Sequence, residues 1–248
     1  MQKEQLERYS RQIILENIGL AGQEKIAKGK VLLIGCGGLG SAVALYLTAA
    51  GVGTIGLADS DAVDLSNLQR QIIHSTADLN KPKVLSAQEK IQQLNPDTKV
   101  NIYQTLITAQ NIADLIQDYD FILDCTDNFT AKFLINDACV KAGKPFSHGG
   151  ISEWEGQTMT CVPGSACYRC VFSAPPAQEP QKGVLGAVPG ILGTIQAAEA
   201  LKYLLGTGEL LTNRLLIFNA LTMSFRTVEI KPNNQCAACI SSNNQVDK

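Results

Sequence analysis

The sequence predicts an α/β fold: a doubly wound, mostly parallel sheet extended by antiparallel C-terminal strands. Three observations lead there. Strand-like and helix-like runs alternate as β-α-β-α-β over residues 30–150. A glycine-rich turn, Gly35–Gly40, joins the first buried-type strand to a helix. After Gly150 the texture changes to further strand-like runs around one long helix.

Residues 4–15 and 22–28 read as two short charged helices ahead of the main fold. Lys30–Ile34 is a compact aliphatic strand, and the small apolar residues Leu39–Ala50 form a helix packed close against it. Thr54–Ala58 is a second strand. A helix opens at Pro82 and runs to about Leu94, where Asn95-Pro96 stops it. Val100–Tyr103 and Phe121–Cys125 are strands with Asn111–Gln117 helical between them, and the helix Phe129–Ala142 closes at Gly143. Gln157–Val162, Arg214–Asn219 and Phe225–Ile230 are the later strands, and Ile191–Leu205 is the long helix. Ser173–Lys182, with three prolines, is a surface crossover, and the polar tail Ser241–Lys248 reads as frayed. One domain is expected over 1–248: helices in 1–29, a nucleotide-binding core in 30–150, strands, crossover and cysteine knuckles in 151–240, and the tail 241–248.

Composition narrows the function classes. The chain has 248 residues, 45% of them hydrophobic, with mean hydropathy +0.04, enough for one sizeable core. A net charge of −2, from 21 basic and 23 acidic residues, gives no bias toward nucleic acid or an anionic membrane. The polar start Met1-Gln-Lys-Glu-Gln5 is no signal peptide, and runs such as Ala42–Ala50 are too short to span a bilayer. Eight cysteines without an export signal suggest the cytoplasm, where cysteine pairs more often hold metal or do chemistry than form disulfides.

Gly35-Cys-Gly-Gly-Leu-Gly40 fits G-x-G-x-x-G in a Rossmann-like setting. Gly35 permits the tight turn, Gly37 and Gly38 let backbone N–H groups approach a phosphate, and Gly40 lets helix and strand pack closely. The helix N-terminus adds partial positive charge. Asp59 ends the next strand, where an acid can accept hydrogen bonds from ribose hydroxyls; Asp61 comes two positions later. A dinucleotide asks little more than this. ATP under attack needs cations for its triphosphate and a carboxylate for magnesium. Candidates stand just beyond the strand C-termini: Asn67, Arg70 and Gln71, then Lys83, then Asp127 and Asn128.

Several segments in fixed order then resemble the ThiF/MoeB/HesA family, relatives of the ubiquitin-activating enzymes. They are Arg8–Ile13, Gly35–Gly40, Ala50–Gly53, Leu65–Gln71, Lys81–Lys83, Leu123–Asn128, Cys167–Cys170 and Cys236–Cys239, so the resemblance runs from about residue 6 to 240. It implies ATP-dependent adenylation of the C-terminal Gly-Gly carboxylate of a small ubiquitin-like sulfur-carrier protein, with release of pyrophosphate. It also implies ribose binding by Asp59, phosphate binding by Asn67, Arg70 and Lys83, Mg2+ at Asp127, and Arg11 reaching the triphosphate from the other subunit of a homodimer. The chemistry agrees. A C-terminal carboxylate with a pKa of about 3.5 is already an anionic nucleophile, so cations and geometry are needed rather than a base. His74 and His148 are therefore read as structural or loop residues. A NAD-dependent oxidoreductase, or a protein that binds the carrier without turnover, are the competing readings.

Cys167-x-x-Cys170 and Cys236-x-x-Cys239 supply four thiolates, the ligand set of a closed, structural zinc site, with two independent redox-inert pairs as the competing reading. The wide gap between the pairs is part of the family resemblance. Cys36, Cys125, Cys139 and Cys161 read as buried fillers. Many relatives carry a crossover cysteine where this chain has Glu179, which points to an enzyme that stops at the acyl-adenylate and passes it to a separate sulfur donor.

Overall fold

A computed structural model of the chain describes residues 1–174 and 183–239. Glu179 and the tail 241–248 lie outside the described residues. Eight strands form one sheet in the order β3-β2-β1-β4-β5-β6-β7-β8. Here β1 is Lys30–Ile34, β2 Thr54–Ala58, β3 Lys99–Tyr103, β4 Phe121–Asp124, β5 Phe146–Ser152, β6 Glu155–Cys161, β7 Arg214–Asn219 and β8 Ser224–Glu229. The first five are parallel; β6, β7 and β8 each pair antiparallel with the strand before. This is the expected doubly wound sheet with its antiparallel extension, and it continues through residue 150 without a break.

The helices are α1 (Lys3–Arg8), α2 (Ser10–Ile13), α3 (Gly19–Lys28), α4 (Gly38–Ala50), α5 (Lys83–Leu94), α6 (Ile112–Ile116), α7 (Phe129–Ala142), α8 (Tyr168–Val171) and α9 (Ala187–Leu205). One core packs α4, α5 and α9 on one face of the sheet; the other lies beneath α6 and α7. Central strands covered on both faces read as unbroken aliphatic runs, and Val31–Ile34 in β1 is buried throughout. Helix α9 comes so close to α4 that a Cβ on Gly193 would stand 2.5 Å from the Leu39 carbonyl oxygen.

The differences from the sequence expectation have physical causes. The expected helix 4–15 is interrupted at Tyr9, whose ring turns into the core while its hydroxyl accepts a hydrogen bond from Asn95 Nδ2 at 2.7 Å. Helix α9 starts at Ala187, four residues early, because Pro189 falls in the first turn, where no backbone N–H is required. Strand β5 has no counterpart among the expected strands. Its residues, Phe146-Ser-His-Gly-Gly-Ile-Ser152, include polar side chains and glycines that serve a buried network around Asp124. No helix among the described residues is long and apolar enough to cross a membrane.

Candidate active site

The strand order turns back on either side of β1 and β4, and at the C-terminal ends of these strands lies a cavity of about 150 Å³. Open α/β sheets bind ligands at such switch points. Gly35, Gly37 and Gly38 form its floor, with Asp59 and Asp61 from the end of β2. Arg70 and Gln71 enter from the loop before α5, Lys83 from its first residue, and Asp127 and Asn128 from the turn after β4. Thr105, Leu106 and Ile107, beyond β3, add a largely apolar wall that no sequence motif marks.

The glycine loop is held by geometry only glycine allows. Gly35 has φ +99°, and a Cβ there would meet the Cys125 carbonyl oxygen at 2.7 Å. A Cβ on Gly40 would clash with the Gly35 carbonyl, so this glycine serves helix–strand contact rather than the cavity. Helix α4 begins at Gly38 with no side chain capping it, which leaves its first N–H groups turned to the cavity. Asp59 braces the loop from β2: Oδ2 accepts the Cys36 N–H at 2.7 Å and Oδ1 the Asp61 N–H at 2.8 Å.

The cations are anchored locally. Lys83 Nζ lies 2.9 Å from Asp61 Oδ2, and Arg70 Nη1 donates to the Ser66 carbonyl at 3.1 Å. Gln71 is buried, yet its Oε1 has no hydrogen-bond partner among the described residues. An orphaned acceptor beside a glycine cradle, two cations and exposed carboxylates fits a nucleotide with phosphates and a divalent metal ion. Asn67 stands outside the lining and caps its own turn, its Oδ1 accepting from the Asp64 N–H at 3.3 Å. Asn128 lines the cavity and also caps α7, accepting the Ala131 N–H at 2.8 Å. Arg11 is exposed on α2 and takes no part in the cavity of its own chain.

Of the two histidines, His74 ties the glycine loop to α5, with Nδ1 2.8 Å from Ser86 Oγ and Nε2 3.0 Å from the Cys36 carbonyl oxygen. His148 belongs to a buried network with no signature in the sequence. Asp124, directly opposite it in the β4–β5 register, takes its Nδ1 at 2.9 Å. Lys132 lies 3.3 Å from both Asp124 oxygens and donates to the Thr126 carbonyl at 2.6 Å and the Gly149 carbonyl at 2.5 Å. Burial pushes the Asp124 carboxyl up, but the Lys132 ammonium and the His148 hydrogen bond outweigh it and bring the group down to about 2. This lysine ties the Thr126–Asp127 turn to β5.

The four knuckle thiols converge although each knuckle lies 69 positions from the other. Sγ–Sγ distances are 3.9 Å for Cys167–Cys170, 3.6 Å for Cys167–Cys236, 3.8 Å for Cys170–Cys239 and 3.5 Å for Cys167–Cys239. Four sulfurs at the zinc–sulfur bond length on a tetrahedron stand roughly 3.8 Å apart, so the cluster has the dimensions of a metal site. Cys36, Cys125, Cys139 and Cys161 are buried, and burial raises the pKa of every one of these thiols.

The chain is similar to known proteins over nearly its whole length. A sulfur carrier protein adenylyltransferase of Thermus thermophilus is 41% identical over an alignment that covers 96% of this chain and 92% of that protein. The SAMP-activating enzyme E1 of Haloferax volcanii is 42% identical, with 95% and 89% covered. The adenylyltransferase and sulfurtransferase MOCS3 of Dictyostelium discoideum is 43% identical over 95% of this chain, which spans 57% of that protein. In fold, the crystal structure of E. coli MccB with ATP superposes with a TM-score of 0.85 at 23% identity, covering 94% of this chain and 74% of that one. The ThiF family matches residues 9–238, a span that holds the glycine loop, the cation set and three of the four clustered cysteines, so the chain belongs to the ThiF family.

Proposed function

We propose that this protein is an adenylyltransferase that activates the C-terminal Gly-Gly carboxylate of a small ubiquitin-like sulfur-carrier protein. A carboxylate oxygen attacks the α-phosphorus of ATP, the bond to the bridging oxygen breaks, and pyrophosphate leaves. The observation that carries the reading is the company kept by the glycine loop: Lys83, Arg70 and Asp127 line the same cavity. A nicotinamide oxidoreductase has no use for that set, and the similarity to enzymes named adenylyltransferases sets that reading and the non-catalytic one aside.

Each residue has a part that its chemistry suits. The glycine loop and the α4 N-terminus hold phosphate through backbone N–H groups. Asp59 keeps acceptor capacity for ribose hydroxyls beyond the two N–H groups it already receives. Lys83 and Arg70 draw the anionic carboxylate to the polyphosphate and offset the charge that builds during transfer. Asp127 is the ligand for Mg2+, which neutralises phosphate charge when bound. Zn2+ at Cys167, Cys170, Cys236 and Cys239 is structural, since four thiolates leave no open position.

The working unit is a homodimer, with Arg11 acting on the partner's cavity. Support comes from the absence of Arg11 from the lining of its own cavity and from exposed apolar side chains close in sequence, Ile14, Leu15 and Leu20. The acyl-adenylate then passes to a separate sulfur donor. ATP–pyrophosphate exchange tests the whole: it should require magnesium and a carrier ending in Gly-Gly, and Asp127→Ala should lower it roughly 100-fold or more with the fold intact. Normal exchange in that variant, or NAD bound more tightly than ATP, overturns the proposal.

A further inference from the structure

Beside the nucleotide cavity lies a second chamber of about 230 Å³, and the two share Thr126, Asp127 and Ile151 as a common wall. His148 forms part of its lining and is 1% exposed. Its Nδ1 faces Asp124, which as a carboxylate can only accept, so the proton of the neutral ring sits on Nδ1 and Nε2 presents a lone pair. Burial, and then the Lys132 charge, hold the imidazole below its usual range against the pull of Asp124. Nε2 has no hydrogen-bond partner among the described residues. Gly150, also lining the chamber, keeps the approach to it open: a Cβ there would stand 3.3 Å from Nε2 and 3.4 Å from Gln157 Cγ.

Such a floor accepts a donor and rejects an anion. The three protons of Lys132 are committed to Asp124 and to the Thr126 and Gly149 carbonyl oxygens, so this buried cation has none left for a carboxylate. A peptide end entering here turns its N–H toward Nε2 and its carboxylate toward the shared wall, beyond which Lys83 and Arg70 stand.

We propose that His148 Nε2 binds the acceptor substrate by taking a hydrogen bond from the backbone N–H of its terminal glycine, and so selects a peptide end with an unsubstituted amide. The assignment rests on the adenylation reading above and adds to it the residue that orients the reacting carboxylate. The missing Cβ at residue 150 is what lets a backbone run close over the ring, and a side-chain-free end suits that space.

The probes are two synthetic peptides, one ending in Gly-Gly and one in Gly-sarcosine, whose terminal N-methyl group removes the donor. In wild-type protein, pyrophosphate exchange should favour Gly-Gly about tenfold or more in kcat/KM. His148→Leu should bring the two peptides to within about threefold, and His148→Gln, whose amide can both donate to Asp124 and accept, should restore much of the preference. Independently of turnover, the Nε2 resonance in a 15N spectrum of the wild-type protein should move with the Gly-Gly peptide and not with its N-methyl analogue. An unchanged preference in His148→Leu, or an Nε2 signal that responds to both peptides or to neither, overturns the assignment. Absence of exchange with either peptide in the wild type would count against adenylation itself, while the 15N titration still decides the role of His148.

Discussion

Lys83 Nζ stands 2.9 Å from Asp61 Oδ2, and the two are unequally placed: the lysine side chain is 8% exposed and the aspartate 66%. The buried partner points a charge into the cavity, whereas the exposed one only steadies it. Lys83→Met should therefore lower kcat/KM for pyrophosphate exchange by roughly 100-fold or more. Asp61→Asn should cost less than about tenfold, as expected for one half of a solvated pair. A larger loss in Asp61→Asn than in Lys83→Met would reverse the assignment.

Arg11 lies outside its own cavity, and mixed dimers test where it acts. Arg11→Ala and Asp127→Ala proteins should each be inactive alone. Mixed after verified subunit exchange, they should regain about a quarter of the wild-type rate if half the dimers are mixed and each holds one intact site. No recovery means that Arg11 does not work in trans.

Lys132 is 6% exposed and Asp124 1%. Lys132→Met leaves a buried carboxylate without its cation and should cost about 3–5 kcal/mol at pH 7, read by denaturant unfolding. The sign with pH is set by the depressed pKa. The stabilisation is present above the ordinary value of 3.8 and fades as pH falls toward about 2, so wild type and variant should converge over that window. A difference that stays constant from pH 6 to pH 2.5 would show that the charge of Asp124 is not involved.

The outline of the fold is legible in the sequence and the buried network is not, for reasons visible in particular residues. Lys30–Ile34 and Thr54–Ala58 are readable to the residue because a strand buried on both faces reads as an unbroken apolar run, and Arg214–Asn219 is equally readable from its run Leu215–Phe218 although only Leu215 and Phe218 are buried. The glycine loop and the polar residues at the strand ends are readable, because the loop fixes the start and the strand ends fix the rest, whereas the apolar wall Thr105–Ile107 carries no motif and Asn67 falls outside the lining. Strand β5 and its histidine are another matter. Asp124 and His148 are 24 positions apart and meet only through the parallel β4–β5 register, which no local pattern encodes. A purely structural His148 accounts for its Nδ1 and leaves Nε2 unexplained.

The four thiols outside the knuckles bear on the fate of the acyl-adenylate. Cys36, Cys125, Cys139 and Cys161 combine burial with raised pKa values, the opposite of a reactive thiolate. Mass spectrometry after incubation with carrier, ATP and magnesium, without reductant, should reveal only noncovalent acyl-adenylate. A dithiothreitol-sensitive adduct at any of the four would show that the chemistry continues on the enzyme.

Metal removal should be felt as loss of structure. Cys236→Ser is expected to lower bound zinc below one equivalent per chain and to reduce the melting temperature, since binding energy at such a site is folding energy. Full thermal stability in metal-free protein would argue against a structural role.

With zinc bound as proposed, the thiol cluster would also tie two distant stretches of chain into a single ring. Residues 170 and 236 bracket the crossover, α9, β7 and β8, so a metal clasp at their bases would shut a loop of 66 positions. Opening it would return to that loop the chain entropy that closure had removed. The nucleotide cavity draws its residues from positions 34–151, all outside the ring. Zinc starvation is therefore expected to govern how long the protein survives rather than how fast each intact copy works. In limited proteolysis of chelator-treated protein, the first cuts should fall after residue 170, with the nucleotide-binding half outlasting them.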